Sequence, residues 1–413
     1  MELKFVSITK PVRLDDLEMQ VFKTKLSRPS IIKDMVMQRP KQISDMLGYC
    51  QSSLVFIHAA AGYGKTTLMY QLSESLVANG TRVSWLTLDN EDNDPIRLYQ
   101  YLWMALFGLE QLHLLPEGHV HKQNIIELTH LISELETNNV LFIDEFEVLD
   151  NPECLNMLWW LYQYLPKNCH LVISSRIKPN WNLSKEYLLG RLKLVTEKNL
   201  SIKTEENTAL IQFLRQQNID HVGLTLELVE ELIQKTEGWL TGIQLINLYL
   251  KNEHDPATVI QSLNGEHNQI VEYLSEQVFL QLSEDMQDFL LKISVLRKIN
   301  LSNIKAVSQN TASTTFLELM TRKGLFLQAL NEQHSWYRIH NLFREFLENR
   351  FKLTNFAQYQ NAHLHAAHWY KQQQYYLEAI YHAECAGEQT LIVELLSEVC
   401  RDLILEGRLY TLL

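Results

Sequence analysis

Residues 54–67 read LVFIHAAAGYGKTT, in which four apolar residues lead into a glycine-containing turn that ends in Gly64-Lys65-Thr66. An apolar strand, such a turn and then a helix place several backbone N–H groups around one concavity, where the helix dipole favours an anion. The stretch therefore predicts a phosphate-binding loop. Its one departure from the consensus G-x-x-x-x-G-K-[ST] is Ala59 at the first glycine position, so the turn there has to accommodate a Cβ.

The loop supplies most of the candidate nucleotide contacts. Lys65 is predicted to reach the β- and γ-phosphates of ATP, and the Thr66 hydroxyl is predicted to hold Mg²⁺. Only the first of the two threonines is expected on the metal, and Thr67 is expected to pack the start of the helix. The residues of the loop predicted to contact ATP or ADP are Ala61, Gly62, Tyr63, Gly64, Lys65, Thr66 and Thr67.

Two acidic residues end a second apolar run, because residues 140–143 are followed by Asp144 and Glu145. This order puts both carboxylates at the carboxyl edge of a buried strand, where open α/β sheets bind ligands. Asp144 is predicted to hold Mg²⁺ together with Thr66, and Glu145 to orient or deprotonate the water that attacks the γ-phosphate. Lys65, Asp144 and Glu145 are therefore the candidate catalytic residues of a weak ATPase.

Three arginines are further candidates. Arg176 follows the apolar run 170–175, and its guanidinium is suited to a bidentate contact with the γ-phosphate. Arg28 and Arg39 are weaker candidates for contacts with the base or the phosphates. The alternatives are a surface salt bridge for Arg176 and solvated side chains for the other two.

Length, charge and hydropathy limit the function classes. A chain of 413 residues is long enough for several domains, and its net charge of −12 is the wrong sign for a chain whose main work is to bind the nucleic-acid backbone. No apolar run approaches the roughly 20 residues of a membrane span, and no secretory signal is apparent. A cytoplasmic protein without a membrane partner is expected. The five scattered cysteines predict reduced thiols.

The pattern along the chain predicts the fold class. Strands and helices alternate up to about residue 200, which is typical of a P-loop α/β domain with a parallel sheet, and helical periodicity follows. Residues 335–340 form a predicted hairpin before a helix, an order that suits a winged helix, and small residues then recur as in TPR-like repeats. The predicted domains are an arm (1–50), a nucleotide-binding domain (51–200), a helical domain (201–280), a winged helix (281–355) and the start of a helical repeat (356–413).

Taken together, the motifs resemble the signal-transduction ATPases with numerous domains, and among them the large MalT-like regulators of the LuxR type. The resemblance spans nearly the whole chain. It rests on 25–29 (KLSRP), 61–67 (AGYGKTT), 85–89 (WLTLD), 92–95 (DNDP), 143–145 (IDE), 174–176 (SSR), 237–239 (EGW), 324–327 (GLFL) and 340–343 (HNLF).

This resemblance implies a regulatory switch. ADP would be held in a closed monomer, and exchange for ATP together with an unknown small-molecule or protein inducer would give an open form that self-associates. His340 would be the winged-helix histidine that contacts ADP and locks the resting state. The output would be transcription, through a DNA-binding helix-turn-helix expected beyond residue 413. Residues 238–240 (GWL) replace the Gly-x-Pro of the wider class.

Two alternatives stay open. One is a P-loop ATPase scaffold in which the nucleotide gates oligomerisation and the output is a partner protein. The other is a stand-alone ATPase or kinase that acts on a separate substrate, although no second catalytic motif is found after residue 200. The natural sequence beyond residue 413 discriminates between these alternatives and the regulator.

Overall fold

A computed structural model describes residues 24–31, 36–50, 52–108, 120–217, 223–250, 255–261, 263–264, 268–323, 325–330 and 335–405. The chain forms two compact units. The first comprises Met1–Ser201 and Thr208–Ile219, and the second comprises Ile202–Asn207 and Asp220–Leu413. Within these ranges, no helix is both long and apolar enough to cross a bilayer.

The first unit is built on a five-stranded parallel sheet of order β2-β3-β4-β1-β5. Every residue of β3 is buried, as are most residues of β1 and β4, because helices cover both faces of such a sheet and its strands become continuous apolar runs. The strands are β1 (Leu54–His58), β2 (Arg82–Thr87), β3 (Asn139–Asp144), β4 (Cys169–Ser175) and β5 (Leu192–Thr196).

The helices of this unit begin where the sequence supplies caps. Asp94 and Asn151 accept hydrogen bonds from backbone N–H groups of the first turns that follow them, and a proline occupies the first position of both helices. The helices are α1 (Pro40–Tyr49), α2 (Lys65–Ala78), α3 (Pro95–Phe107), α4 (Lys122–Ser133), α5 (Pro152–Tyr164), α6 (Leu183–Leu188), α7 (Glu197–Leu200) and, from Thr208 on, α8 (Asn207–Gln217).

Two features of this unit follow from its local sequence. Helix α1 begins at Pro40, since proline is favoured at the first helical position, where its missing N–H costs no hydrogen bond. Strand β5 was not predicted, because Lys193 interrupts its short apolar run, and only two of its five residues are buried.

A buried ion pair holds Lys25, which lies in the predicted arm, against another part of the first unit. Lys25 Nζ lies 2.5 Å from Asp92 Oδ2 and 2.9 Å from Asp89 Oδ2, and it sits over the Tyr101 ring. Lys25 and Asp92 are both buried, and Asp92 also accepts a hydrogen bond from the Asp89 N–H. The motifs at 25–29 and 92–95 are far apart in the sequence. In the structure they are in direct contact through Lys25 and Asp92.

The second unit is mainly helical. Its helices are α9 (Leu226–Thr236), α10 (Leu240–Leu250), α11 (Pro256–Gln261), α12 (Asn268–Gln277), α13 (Glu284–Ile293), α14 (Leu301–Ser308), α15 (Ser313–Lys323), α16 (Asn341–Thr354), α17 (Phe356–Gln372), α18 (Tyr376–Ala386) and α19 (Gln389–Leu405). The predicted fold class, a parallel α/β domain followed by a helix-rich half, is confirmed.

A small hairpin interrupts these helices. Strand β6 (Leu327–Ala329) pairs antiparallel with β7 (Tyr337–Ile339), and Ile299 adds an isolated bridge to Tyr337. The order α13-α14-α15-β6-β7-α16 is that of a winged helix. Gly324, which contributed to the sequence resemblance, lies outside the described residues.

Helices α17 and α18 pack as a pair and bury two histidines between them. The Nδ1 atoms of His363 and His382 lie 2.9 Å apart, so one neutral ring donates to the other. Burial lowers the pKa of His363 to about 4 and that of His382 to about 3. The histidine at 363 is therefore a core residue. A continuing TPR-like repeat remains a prediction.

The turn between α9 and α10 depends on Gly238. Its φ is 70°, its carbonyl accepts a hydrogen bond from Ile202 N at 2.9 Å, and a Cβ added there would lie 2.2 Å from the Ile202 carbonyl oxygen. Gly387 of the same unit has φ 78° but a nearest contact of 3.5 Å, with the end of the Gln360 side chain.

We expect Gly238→Ala to destabilise the second unit by about 2–5 kcal/mol, the sum of left-handed strain and the displacement of a backbone segment. Gly387→Ala is the matched control and is expected to cost about 1–2 kcal/mol, from strain alone. Urea unfolding of both variants measures the difference, and equal losses would contradict the assigned contact.

Candidate functional site

The predicted phosphate-binding loop connects β1 to α2. Gly62 and Gly64 both have φ 78°, a conformation that favours glycine, and Gly64 caps α2. Ala59 is outside the left-handed region, so alanine fits the first consensus position, and its N–H donates to the Ser175 carbonyl at 3.2 Å. The loop therefore has the backbone geometry that the motif requires.

Lys65 is folded against this loop. Its Nζ donates to the carbonyls of Ala59 at 2.9 Å and Ala60 at 3.1 Å, and only 7% of the residue is exposed. Burial lowers the pKa of Lys65, and the nearby Glu147 carboxylate opposes that shift most. The side chain is thus a desolvated cation at the base of the loop.

Asp144 brings three elements together at the carboxyl edge of the sheet. Its Oδ2 accepts a hydrogen bond from Thr66 Oγ1 at 2.7 Å, and its Oδ1 accepts from the Ser174 hydroxyl and from Glu145 N at 3.1 Å. Strand β4 lies between β3 and β1, which places Ser174 beside the carboxylate. Because hydroxyl and carboxylate oxygens are the ligands that Mg²⁺ prefers, Thr66 and Asp144 fit the predicted metal.

Glu145 and Arg176 lie at the same edge. Glu145 has φ 58°, a strained value for a residue with a Cβ, and its Oε2 is 3.7 Å from Arg176 Nη2. Burial, followed by repulsion from Glu147, raises the pKa of Glu145 to about 7. A carboxyl group that titrates near neutral pH is suited to general acid–base work.

The weaker arginine candidates, Arg39 and Arg28, also lie in the first unit. Arg39 is buried, and its guanidinium donates to the carbonyls of Leu200 and Ser201. Arg28 is exposed beside edge strand β2, which β3 and β4 separate from β1. It lines a cavity of about 530 Å³ with Leu26, Ser27, Pro29, Tyr70, Val83, Ser84, Trp85 and Ala105. A nucleotide contact of Arg28 remains a prediction.

His340 belongs to the second unit, where it is buried. Its Nε2 lies 3.0 Å from the Thr236 carbonyl, and its ring packs on Trp239 and Phe326. Burial lowers its pKa. Because a carbonyl can only accept, Nε2 carries a proton, and burial favours the neutral ring, in which Nδ1, which has no hydrogen-bond partner among the described residues, is an acceptor. Donation to a phosphate would require Nδ1 to gain a proton.

The turn beside His340 is held by a bidentate ion pair. Arg338 Nη1 and Nη2 lie 3.0 and 2.7 Å from the two oxygens of Glu237, which has φ 52° and also accepts from Asn341 N at 3.1 Å. The pair links the end of α9 to β7 and the start of α16. The motifs at 237–239 and 340–343 are thus parts of one structure.

Sequence reasoning missed several residues of the first-unit site. Glu147 contacts Arg176, and Glu197 accepts a hydrogen bond from Ala60 N at 2.8 Å. His58 ends β1, and burial together with the nearby lysines Lys178 and Lys65 lowers its pKa to about 4. A signal existed for Glu147, an acidic residue two positions after Glu145, whereas Glu197 follows the strand that was not predicted.

Part of the second unit is similar to a known protein family. The family model described as the MalT winged helix domain matches residues 275–359. This part of the chain is therefore similar to a MalT winged helix domain.

The similarity to MalT extends well beyond that domain. The chain is 29% identical over 405 residues to the HTH-type transcriptional regulator MalT of Vibrio parahaemolyticus, covering 94% of this chain and 43% of that protein. It is also 27% identical over 399 residues to the serine/threonine-protein kinase PknK of Mycobacterium tuberculosis, covering 94% of this chain and 35% of the kinase. The resemblance to MalT-like regulators is confirmed, and the chain spans less than half the length of these relatives.

Among solved structures, the chain is similar to a Walker-type ATPase of Pyrococcus abyssi. The TM-score is 0.53 at 12% sequence identity, with 78% of this chain and 98% of the other covered. This likeness shows the fold alone. It agrees with the predicted P-loop ATPase fold.

The raised pKa of Glu145 predicts a pH-dependent stability. Its value of about 7 lies above the roughly 4.3 of an unfolded glutamate, so its contribution to stability is complete at low pH and is lost as the pH rises through 7. We therefore expect Glu145→Gln to gain stability relative to the wild type between pH 5 and pH 8. Urea unfolding at both values measures this, with Glu153→Gln at an exposed position of α5 as the control. If the stability difference between Glu145→Gln and the wild type were the same at pH 5 and pH 8, the raised pKa of Glu145 would be contradicted.

Proposed function

We propose that this chain is the nucleotide-dependent switch of a MalT-like transcriptional regulator. ATP or ADP binds at the phosphate loop, ATP together with an inducer promotes self-association, and a DNA-binding region outside this sequence provides the output. The observation that supports the proposal most directly is the Asp144 carboxylate, which binds Thr66 beside the buried Lys65.

Each residue of the site has a distinct task in this proposal. Lys65 exchanges its bonds with the loop carbonyls for bonds with phosphate oxygens, which a charged donor stabilises more strongly. Thr66 and Asp144 would hold Mg²⁺, which neutralises phosphate charge. Glu145 accepts a proton from water, and Arg176 binds the terminal phosphate. Hydrolysis returns the site to ADP and limits the lifetime of the active form.

The similarity to PknK favours a second candidate. A similar region occurs in a protein whose name denotes a kinase, so in this proposal the switch itself does not determine the output. In this alternative, nucleotide-dependent association regulates a partner protein or a linked enzyme domain instead of transcription. A full-length chain that ends in a helix-turn-helix and binds DNA only in the ATP form would support the regulator.

We expect Lys65→Met to weaken binding of ATP and ADP by about tenfold to a hundredfold, because a charge-assisted contact to phosphate is lost while the apolar stem is kept. The variant should also stay monomeric with ATP and Mg²⁺ under conditions in which the wild type associates. Isothermal titration calorimetry and light scattering measure both. Lys41→Met, at an exposed position of α1, is the control. Wild-type affinity in Lys65→Met would refute the site.

His340→Ala is expected to release bound ADP about tenfold faster than the wild type, because one hydrogen bond to a charged phosphate is lost. Since Nδ1 must gain a proton to donate, the wild type should retain ADP longer at pH 6.5 than at pH 8, and the variant should lose most of this dependence. Dissociation of a fluorescent ADP analogue measures both rates. His130→Ala, at an exposed position, is the control. Equal release rates would exclude the predicted contact.

A further inference from the structure

Glu147 is a partly buried carboxylate at the site to which the proposed function assigns no task. Its side chain is 13% exposed. Its Oε2 accepts a hydrogen bond from the backbone N–H of Arg176 at 3.0 Å, and its Oε1 forms an ion pair with Arg176 Nε at 2.9 Å. One side chain thus holds both the backbone and the guanidinium of Arg176.

The turn that contains Glu147 is held in place by hydrogen bonds of the Asn93 side chain. After β3, the left-handed Glu145 directs the chain into a 3₁₀ turn at Phe146–Val148. Asn93 fixes the end of that turn, because its Nδ2 donates to the Val148 carbonyl at 2.8 Å and its Oδ1 accepts from the N–H groups of Asp150 and Asn151. Glu147 therefore projects from a fixed segment, and its hydrogen bond to the Arg176 backbone together with its ion pair to the guanidinium determines where Arg176 lies.

Arg176 is held more closely by Glu147 than by Glu145, so a phosphate could replace Glu145 as its partner. Glu147 engages Nε, whereas Glu145 lies 3.7 Å from Nη2, beyond a direct hydrogen bond. A guanidinium held through Nε still presents its Nη edge to a second anion. The weaker partner can therefore be replaced by a phosphate while the stronger one remains.

We propose that Glu147 is a positioning residue for Arg176, and that it thereby sets the preference of the site for a nucleoside triphosphate over a diphosphate. This inference rests on the proposed function, because it requires that the site bind nucleotide. Glu147 holds Arg176 at the carboxyl edge of the sheet, and the terminal phosphate displaces Glu145 from the Nη edge. A nucleoside diphosphate lacks the terminal phosphate, so its binding is not stabilised by the position of the Arg176 guanidinium.

The test compares the affinities of ADP and a slowly hydrolysed ATP analogue, with Mg²⁺, by calorimetry. Glu147→Gln should lower the preference for the triphosphate about tenfold, because the contact of Arg176 with the terminal phosphate is weakened, whereas the loss of the Glu147 charge near Lys65 affects both nucleotides. Arg176→Lys should have a similar effect. The double variant should lose no more preference than Arg176→Lys alone, since both changes remove the same contact. Glu153→Gln is the control.

Two results would overturn the inference: an unchanged preference in Glu147→Gln when Arg176→Lys lowers it, or additive losses in the double variant. If Glu147→Gln fails to fold, Glu147→Asp provides the same test, because its shorter side chain keeps the charge but cannot reach both nitrogens of Arg176. A wild type that binds neither nucleotide would refute the proposed function and this inference together, whereas normal ADP binding with an unaltered preference refutes the inference alone.

Discussion

The first unit depends on one buried carboxylate. Asp144 is 3% exposed, and burying a charge is costly unless hydrogen bonds replace the lost water. Its donors come from the start of α2, the end of β4 and the residue after β3. The requirement to satisfy this group therefore fixes the helix that follows the phosphate loop against the acidic edge of the sheet, before any ligand is considered.

The site around Asp144 contains both carboxylates and cations, and a bound nucleotide would change the interactions between them. Asp144, Glu145 and Glu147 face Lys65 and Arg176, so the carboxylates outnumber these two cations. The raised pKa of Glu145 reduces this excess, because burial and then repulsion from Glu147 leave this group partly protonated near neutral pH. A phosphate that drew Lys65 and Arg176 away from the carboxylates would change this balance, which gives the site a means to respond to its ligand.

In the second unit, one group of contacts connects the end of α9 to strand β7 and the start of α16. The strained Glu237 is held by Arg338 and by Asn341 N, and the neighbouring Trp239 is fully buried against Phe326 and His340. Partly buried charges that satisfy each other in a bidentate pair define one arrangement. Any change in the protonation or contacts of His340 would act directly on this connection.

The sequence by itself determined the phosphate loop, the acidic strand end, the parallel α/β class and the winged helix, because these depend on local patterns of apolar, glycine and charged residues. Tertiary structure alone decided that Lys25 pairs with Asp92, that Glu147 holds Arg176 and that Glu197 contacts the loop. These residues are far apart in sequence or follow a weakly apolar strand, and an ion pair leaves no periodic signal. Their roles appear only when the folded chain removes water and brings them within a few ångströms.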